Sequence, residues 1–306
     1  MIKYLDIQRM SSEDGPGLRT TLFLKGCPLS CEWCHNPESI SFKNQVVWNR
    51  NRCIDCKDCE KACATKAVLG QGACTGCLSC CEACPTGARE PKGKDANVQD
   101  LIRELSKDVA YFGTDGGVTL SGGEALAQAG SVELLKVLKN AGIGTAVDTC
   151  GAIPSARLKE ALPFVDICLY DLKLRDSAAH KRFTGMGNEL VIENLKLASD
   201  WAEQGGRLWI RTPVIPGATD TIENIKGIAS LVKTLPRVER WELCAFNNLC
   251  ASKYESLGLN WKYKGARLIA KEAMLALQDM ACQVLQGVHV KIQATGSLRM
   301  DEEEGD

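Results

Sequence analysis

The sequence has no surplus charge of either sign: 37 basic residues face 38 acidic ones, a formal net charge of -1. A chain so balanced sets up no general field to attract nucleic acid or an anionic membrane surface, and neither is expected as a partner. It also lacks an apolar run long enough to span a bilayer, and its opening stretch, MIKYLDIQRMSSEDG, lacks the apolar centre of a secretory signal. No solenoid-type period runs along it. These absences predict a cytoplasmic setting. The 306 residues, 45% of them hydrophobic, suffice for one large core or two smaller ones.

What the chain has in abundance is cysteine. Twelve of its 17 cysteines fall between Cys27 and Cys84, and a reducing compartment favours metal thiolates over disulfides for such a cluster. The remaining five, Cys150, Cys168, Cys244, Cys250 and Cys282, share no spacing and read as packing residues.

The first constellation is Cys27, Cys31 and Cys34 in GCPLSCEWCHN. Its C-x3-C-x2-C spacing supplies three of the four ligands of a cubane and leaves one iron open for another molecule. A zinc knuckle completed by His35, or three buried thiols, are the alternatives. Two further runs follow C-x2-C-x2-C-x3-C: Cys53, Cys56, Cys59 and Cys63, then Cys74, Cys77, Cys80 and Cys84. In a two-cluster ferredoxin the fourth cysteine of each run serves the other cluster. That rule predicts one [4Fe–4S] cluster on Cys53, Cys56, Cys59 and Cys84 and a second on Cys74, Cys77, Cys80 and Cys63. Cys81 is surplus, because only Cys80 keeps both spacings. Ala64 stands where the pattern usually has proline, and paired zinc sites would suit the same C-x2-C steps.

Outside residues 46–92 the chain alternates between β-rich runs and helical periods. The runs are TTLFLKG (20–26), GVTLSG (117–122), GTAVDT (144–149), VDICLYDLK (165–173), RLWIRTPV (207–214) and VERWELCAF (238–246), with HVKIQ (289–293) as a possible last strand. Helices are expected where Val98, Leu101, Ile102 and Leu105 share a face after a cap at Asn97, at Val132, Leu135 and Leu138, and at Ile222, Ile225 and Val232 after Asp220 and Thr221. Six βα units predict an α/β fold with a parallel sheet covered by helices, open or curled into a partial barrel. The expected division is 1–45 and 93–306 as one unit, interrupted by an insert at 46–92, with DEEEGD as a solvated tail.

Three successive strand ends carry polar groups: Gly122, Gly123 and Glu124; Asp148, Thr149, Cys150 and Gly151; Asp171, Leu172 and Lys173. An acid, an acid with a hydroxyl and an acid with a base could receive a zwitterion, and glycines let a ligand approach the backbone. Turns that merely cap helices are the alternative.

Together, C-x3-C-x2-C with Trp33 before the third cysteine, SGGEAL, DTCG and DLK resemble the radical S-adenosylmethionine enzymes. More narrowly, DGPGLRTTLFLKGCPLSCEWCHNPES is similar to the activating enzymes of glycyl radical enzymes, over about Asp14 to Asn247, and the insert resembles that of activases with two ferredoxin-type clusters. The resemblance implies a partial (βα)6 barrel of TIM type with an inserted ferredoxin-like domain, three [4Fe–4S] clusters and S-adenosylmethionine. It implies Trp33 and Asn36 beside the adenine and the cluster, Gly122, Gly123 and Glu124 on the methionine amino group, and Lys173 on its carboxylate. Asp148, Thr149 and Asp171 match positions that can hold a monovalent cation, and Asp148, Arg211 and Asn247 match cofactor contacts. Asp14 and Gly15 match the segment that grips the partner's glycine loop. The implied reaction is reductive cleavage of S-adenosylmethionine to a 5′-deoxyadenosyl radical that takes a hydrogen from a glycine of a glycyl radical enzyme, with ferredoxin or flavodoxin as reductant. Radical chemistry on a small molecule and a ferredoxin-type electron carrier are the other readings.

Overall fold

The computed structural model describes residues 1–300, so the DEEEGD segment lies outside the described residues. Strand β1 (Ile2–Ser11) precedes β2 (Arg19–Leu24); then come β3 (Gln45–Trp48), β4 (Arg89–Lys92) and β5 (Lys94–Ala96). The remaining strands are β6 (Gly117–Gly122), β7 (Thr145–Thr149), β8 (Ile167–Asp171), β9 (Arg207–Val214), β10 (Arg240–Ala245) and β11 (Lys291–Thr295). Nine of them form one sheet in the order β11-β10-β9-β8-β7-β6-β2-β1-β5. From β2 to β11 every pairing is parallel, while β1 and β5 add an antiparallel edge. The α/β class and the strand runs expected from the pattern are therefore present.

Parallel strands joined by helices send all their C-terminal ends to one edge of the sheet, which is where such folds collect ligand groups. The helix at Val98–Leu105 is capped as expected, Asn97 Oδ1 accepting from the Asp100 amide at 2.8 Å. At Ile222–Val232 the cap is Thr221, which accepts from the Asn224 amide at 3.1 Å, whereas Asp220 accepts from the Gly217 amide in the preceding turn. Gly130–Asn140 buries Val132, Leu135 and Leu138.

Period-two alternation then sorts the strand residues between two faces. Leu22, Leu120, Val147, Cys168, Ile210 and Leu243 belong to the large core shared with the helices. Ala146, Ile167, Leu169 and Trp209 form a separate small apolar cluster. One pleat further toward the C-terminal edge, the same face carries Ser121, Asp148, Asp171, Arg211 and Glu242. The apolar cluster thus makes a floor, and the charged layer lies above it.

Strands β3 and β4 form a separate antiparallel pair, with Val46 opposite Pro91 and Trp48 opposite Arg89. Between them run two short helices, Asp58–Ala62 and Ser79–Glu82. The buried apolar residues within 46–92 are Val47, Cys63, Cys80 and Ala88. A segment of this size with so small a core relies on staples.

Candidate active site and cysteine cages

The loop after β2 brings Cys27, Cys31 and Cys34 over the charged layer. It is held from both sides: Ser30 and Glu32 amides donate to the carbonyls of Thr184 and Phe183 at 2.8 and 3.0 Å. From the far end of the chain, Tyr254 Oη donates to the Cys34 carbonyl at 2.9 Å and Trp261 Nε1 to the Glu32 carbonyl at 3.1 Å. Asn36 Oδ1 accepts from Lys253 Nζ at 2.6 Å. Sequence reasoning missed this clamp, whose partners lie more than two hundred positions apart.

Thiols and charged layer enclose a cavity of about 350 Å³, within the range of small-molecule sites. Its walls include Asp14, Cys27, Cys31, Trp33, Cys34, Asn36, Gly122, Gly123, Asp148, Thr149, Asp171, Lys173 and Arg211. Gly15, Glu124 and Asn247 are not among the lining residues. Among the described residues no three His, Cys, Asp or Glu side chains converge tightly enough to hold a single metal ion.

The electrostatics of the cavity are tightly balanced. Lys173 Nζ lies 2.6 Å from Asp171 Oδ2; burial works against its charge, yet Asp171 and the neighbouring thiols hold the ammonium well above its usual range. Arg211 stands 3.8 Å from Asp148 and 3.5 Å from Glu242. Burial, with Asp171 nearby, pushes the Asp148 carboxyl up to about 7, although Ser121 Oγ donates to it at 2.7 Å. Burial also raises Cys31 to about 11 and Cys34 to about 12, whereas a hydrogen bond from Cys150 lowers Cys27 and correspondingly raises Cys150. Thiols held neutral by burial ionise only against a compensating positive charge, which a metal centre supplies.

One buried nitrogen on this wall, His35 Nε2, has no hydrogen-bond partner. Buried donors or acceptors left open in this way mark a place where a ligand completes the bonding. The donor set therefore fits a group with sulfur-bound iron on one side and a zwitterion on the other.

Glu124, expected at the methionine amino group, does not line the cavity. It is fully buried, and its carboxylate accepts from Thr149 Oγ1 at 2.7 Å and from the Cys150 and Leu126 amides at 2.8 and 3.0 Å. It ties two strand ends together from behind the cavity wall. Gly122, at φ +112°, and Gly123 are required by the chain itself, since a Cβ would meet the Leu24 backbone at 2.3 Å or the Gly26 carbonyl at 2.5 Å. Asn247 lies beside the cavity, its Oδ1 accepting from the Leu249 amide at 3.2 Å. Asp14 Oδ2 accepts from Ser11 and Thr21 hydroxyls at 2.6 and 2.7 Å, so its loop is fixed against the interior. Arg19 pins the same loop from below: its guanidinium donates to Thr119 Oγ1 at 2.6 Å and to the Pro16 carbonyl at 3.3 Å.

The insert contains two smaller cavities. One, about 110 Å³, is lined by Cys63, Cys74, Cys77 and Cys80; the other, about 260 Å³, by Cys53, Cys56, Cys59 and Cys84. Cys81 lines neither.

Residues 13–68 match the family model described as a 4Fe-4S single cluster domain. The chain is 40% identical over 277 residues to the trans-4-hydroxy-L-proline dehydratase activating enzyme of Clostridioides difficile, covering 86% of this chain and 90% of that protein. It is 38% identical over 283 residues to the (2S)-3-sulfopropanediol sulfolyase activating enzyme of Bilophila wadsworthia, covering 88% and 92%. In fold it is similar to Streptococcus suis SuiB bound to precursor peptide SuiA, with a TM-score of 0.55 and 12% identity over 88% of this chain and 46% of that one. Identity of this extent over nearly the whole of both relatives goes beyond shared architecture: the chain belongs to the radical S-adenosylmethionine activating enzymes of glycyl radical enzymes.

Proposed function

We propose that this chain cleaves S-adenosylmethionine reductively and uses the resulting radical to remove a hydrogen from a glycine of a partner glycyl radical enzyme. The observation that carries the reading is the cavity with Cys27, Cys31 and Cys34 on one side and Lys173, Asp148, Asp171 and Arg211 on the other. A [4Fe–4S] cluster held by the three thiols would supply the electron for reductive cleavage of the cofactor. The residues of the chain do the rest. Lys173 meets the methionine carboxylate, the backbone at Gly122 and Gly123 borders the amino group, and Trp33 and Asn36 border the adenine. Arg211 stands against Asp148 and holds it in place. Asn247 adds a contact at the rim.

In this reading Asp148 and Asp171 also offer hard oxygens to a monovalent cation beside the carboxylate. Thr149 lines the same wall and completes the set, because its hydroxyl, which donates to Glu124 and accepts from the Gly151 amide, keeps one oxygen lone pair. The Asp14 and Gly15 loop receives the partner's glycine. Around the site the parallel sheet curls as a partial (βα)6 barrel built from residues 1–45 and 93–306, and 46–92 is a ferredoxin-like domain. Support for its two clusters comes from the two cavities, whose cysteine sets are those expected from crosswise ligation. Ferredoxin or flavodoxin serves as reductant, in a reducing compartment such as the cytoplasm.

The test is anaerobic reconstitution followed by S-adenosylmethionine and dithionite. The wild type should hold about 12 irons and the Cys27→Ala/Cys31→Ala/Cys34→Ala variant about eight, with 5′-deoxyadenosine formed only by the wild type. Zinc in place of iron, or product from the triple variant, contradicts the reading.

A further inference from the structure

One arginine stands between the two cysteine cages of the insert. Arg89, the first residue of β4, lines the cavity of Cys63, Cys74, Cys77 and Cys80 and also that of Cys53, Cys56, Cys59 and Cys84. It is the cross-strand partner of Trp48, and its guanidinium carbon lies 4.6 Å from the centre of the Trp48 ring. Such stacking fixes the plane of the fork without neutralising it. Arg50 stacks on the same ring at 4.7 Å. Arg89 forms no ion pair among the described residues, in contrast to Arg52, which is 2.8 Å from Glu90. Its Nε is buried and has no hydrogen-bond partner.

A buried, charged N–H without an acceptor is destabilising unless a bound group satisfies it. Each neighbouring cavity is lined by four thiols that become anionic on ligating iron, so the missing acceptor is sulfur. We propose that Arg89 serves both insert clusters at once: its guanidinium donates to cluster sulfur and its single positive charge sets the two reduction potentials together. The inference rests on the two-cluster reading of the insert. A positive charge stabilises the reduced, more negative form of each cluster, so the pair is held within reach of one reductant.

The experiment is a potentiometric titration, followed by electron paramagnetic resonance, of the reconstituted full chain and of Arg89→Met, Arg89→Gln, Arg89→Lys and Arg52→Met. In the two neutral variants the reduced-to-oxidised ratio of both insert clusters at fixed potential should fall at least tenfold, a shift of about 59 mV for a one-electron couple. Arg89→Lys retains the charge but loses Nε and should shift less, while still departing from the wild type. Arg52→Met should leave both potentials in place, and the cluster on Cys27, Cys31 and Cys34 should not move in any variant. Wild-type potentials in the iron-loaded neutral variants, or a shift in only one insert cluster, overturn the proposal. If the neutral variants fail to load iron, Arg89→Lys decides, and wild-type potentials there overturn it. Absence of insert iron from the Cys27→Ala/Cys31→Ala/Cys34→Ala chain would instead remove the two-cluster reading itself.

Discussion

Replacing Lys173 with methionine keeps most of the apolar stem and removes an ammonium from the cavity wall. The side chain is buried and its Nζ lies 2.6 Å from Asp171, so its charge is only partly screened by water. Losing a hydrogen bond to a charged group costs about 1.5–3 kcal/mol. Because the ammonium is shared with Asp171 before the cofactor arrives, the lower part of that range applies, about 1.5–2 kcal/mol, which weakens the affinity for S-adenosylmethionine roughly 10- to 30-fold. The substitution also leaves Asp171 facing the incoming carboxylate. Adding Asp171→Asn should therefore recover part of the loss. Isothermal titration of the cluster-loaded protein reads both effects. Unchanged affinity in Lys173→Met, or a double variant worse than the single one at equal iron content, refutes this role for Lys173.

Glu124→Gln should destabilise the fold by about 1–3 kcal/mol, because an amide cannot satisfy all three donors that now surround the carboxylate, while affinity for S-adenosylmethionine stays close to that of the wild type. Denaturant midpoints and titration together check this, and lost affinity with unchanged stability would return Glu124 to the amino-group contact. Asp148, held at about 7 in the native state, ionises near about 4 when unfolded. The unfolded chain therefore releases this proton first as pH rises, and native stability at this site is lost between about pH 4 and about pH 7. Urea midpoints of the wild type should fall relative to Asp148→Asn over that interval, whereas a constant or opposite difference would show that Asp148 is already ionised in the fold.

The parallel strands were legible because most are short apolar runs closed by glycine or a charged residue, and the cysteine loop because its spacing has few other uses. The polar layer was legible in part: Asp148 and Asp171 stand at strand ends, whereas Arg211 lies inside β9 and joins them through its register with Asp171. Strand β1 was missed. It pairs near the antiparallel edge and buries only Ile2 and Ser11, so that over Asp6–Met10 its residues alternate between exposed and half-buried with no buried apolar face. The direction of Glu124 was also hidden, because position at a strand end does not fix which way a carboxylate turns, and here three donors pull it behind the wall. The clamp from Tyr254 and Trp261 joins residues more than two hundred positions apart. No local pattern encodes such a contact. Arg89 was invisible for a related reason: its position between the cages follows from the pairing of β3 with β4.

The central claim is that the radical made here ends on a glycine of another protein. The direct measurement is electron paramagnetic resonance of an anaerobic mixture of reconstituted chain, S-adenosylmethionine, reductant and each of a panel of glycyl radical enzymes, with 5′-deoxyadenosine quantified in the same samples. The account predicts a carbon-centred glycyl doublet in one partner, growing in step with 5′-deoxyadenosine and absent with the Cys27→Ala/Cys31→Ala/Cys34→Ala variant. Steady 5′-deoxyadenosine production with no glycyl signal in any partner, or with a small molecule consumed in its place, would contradict it.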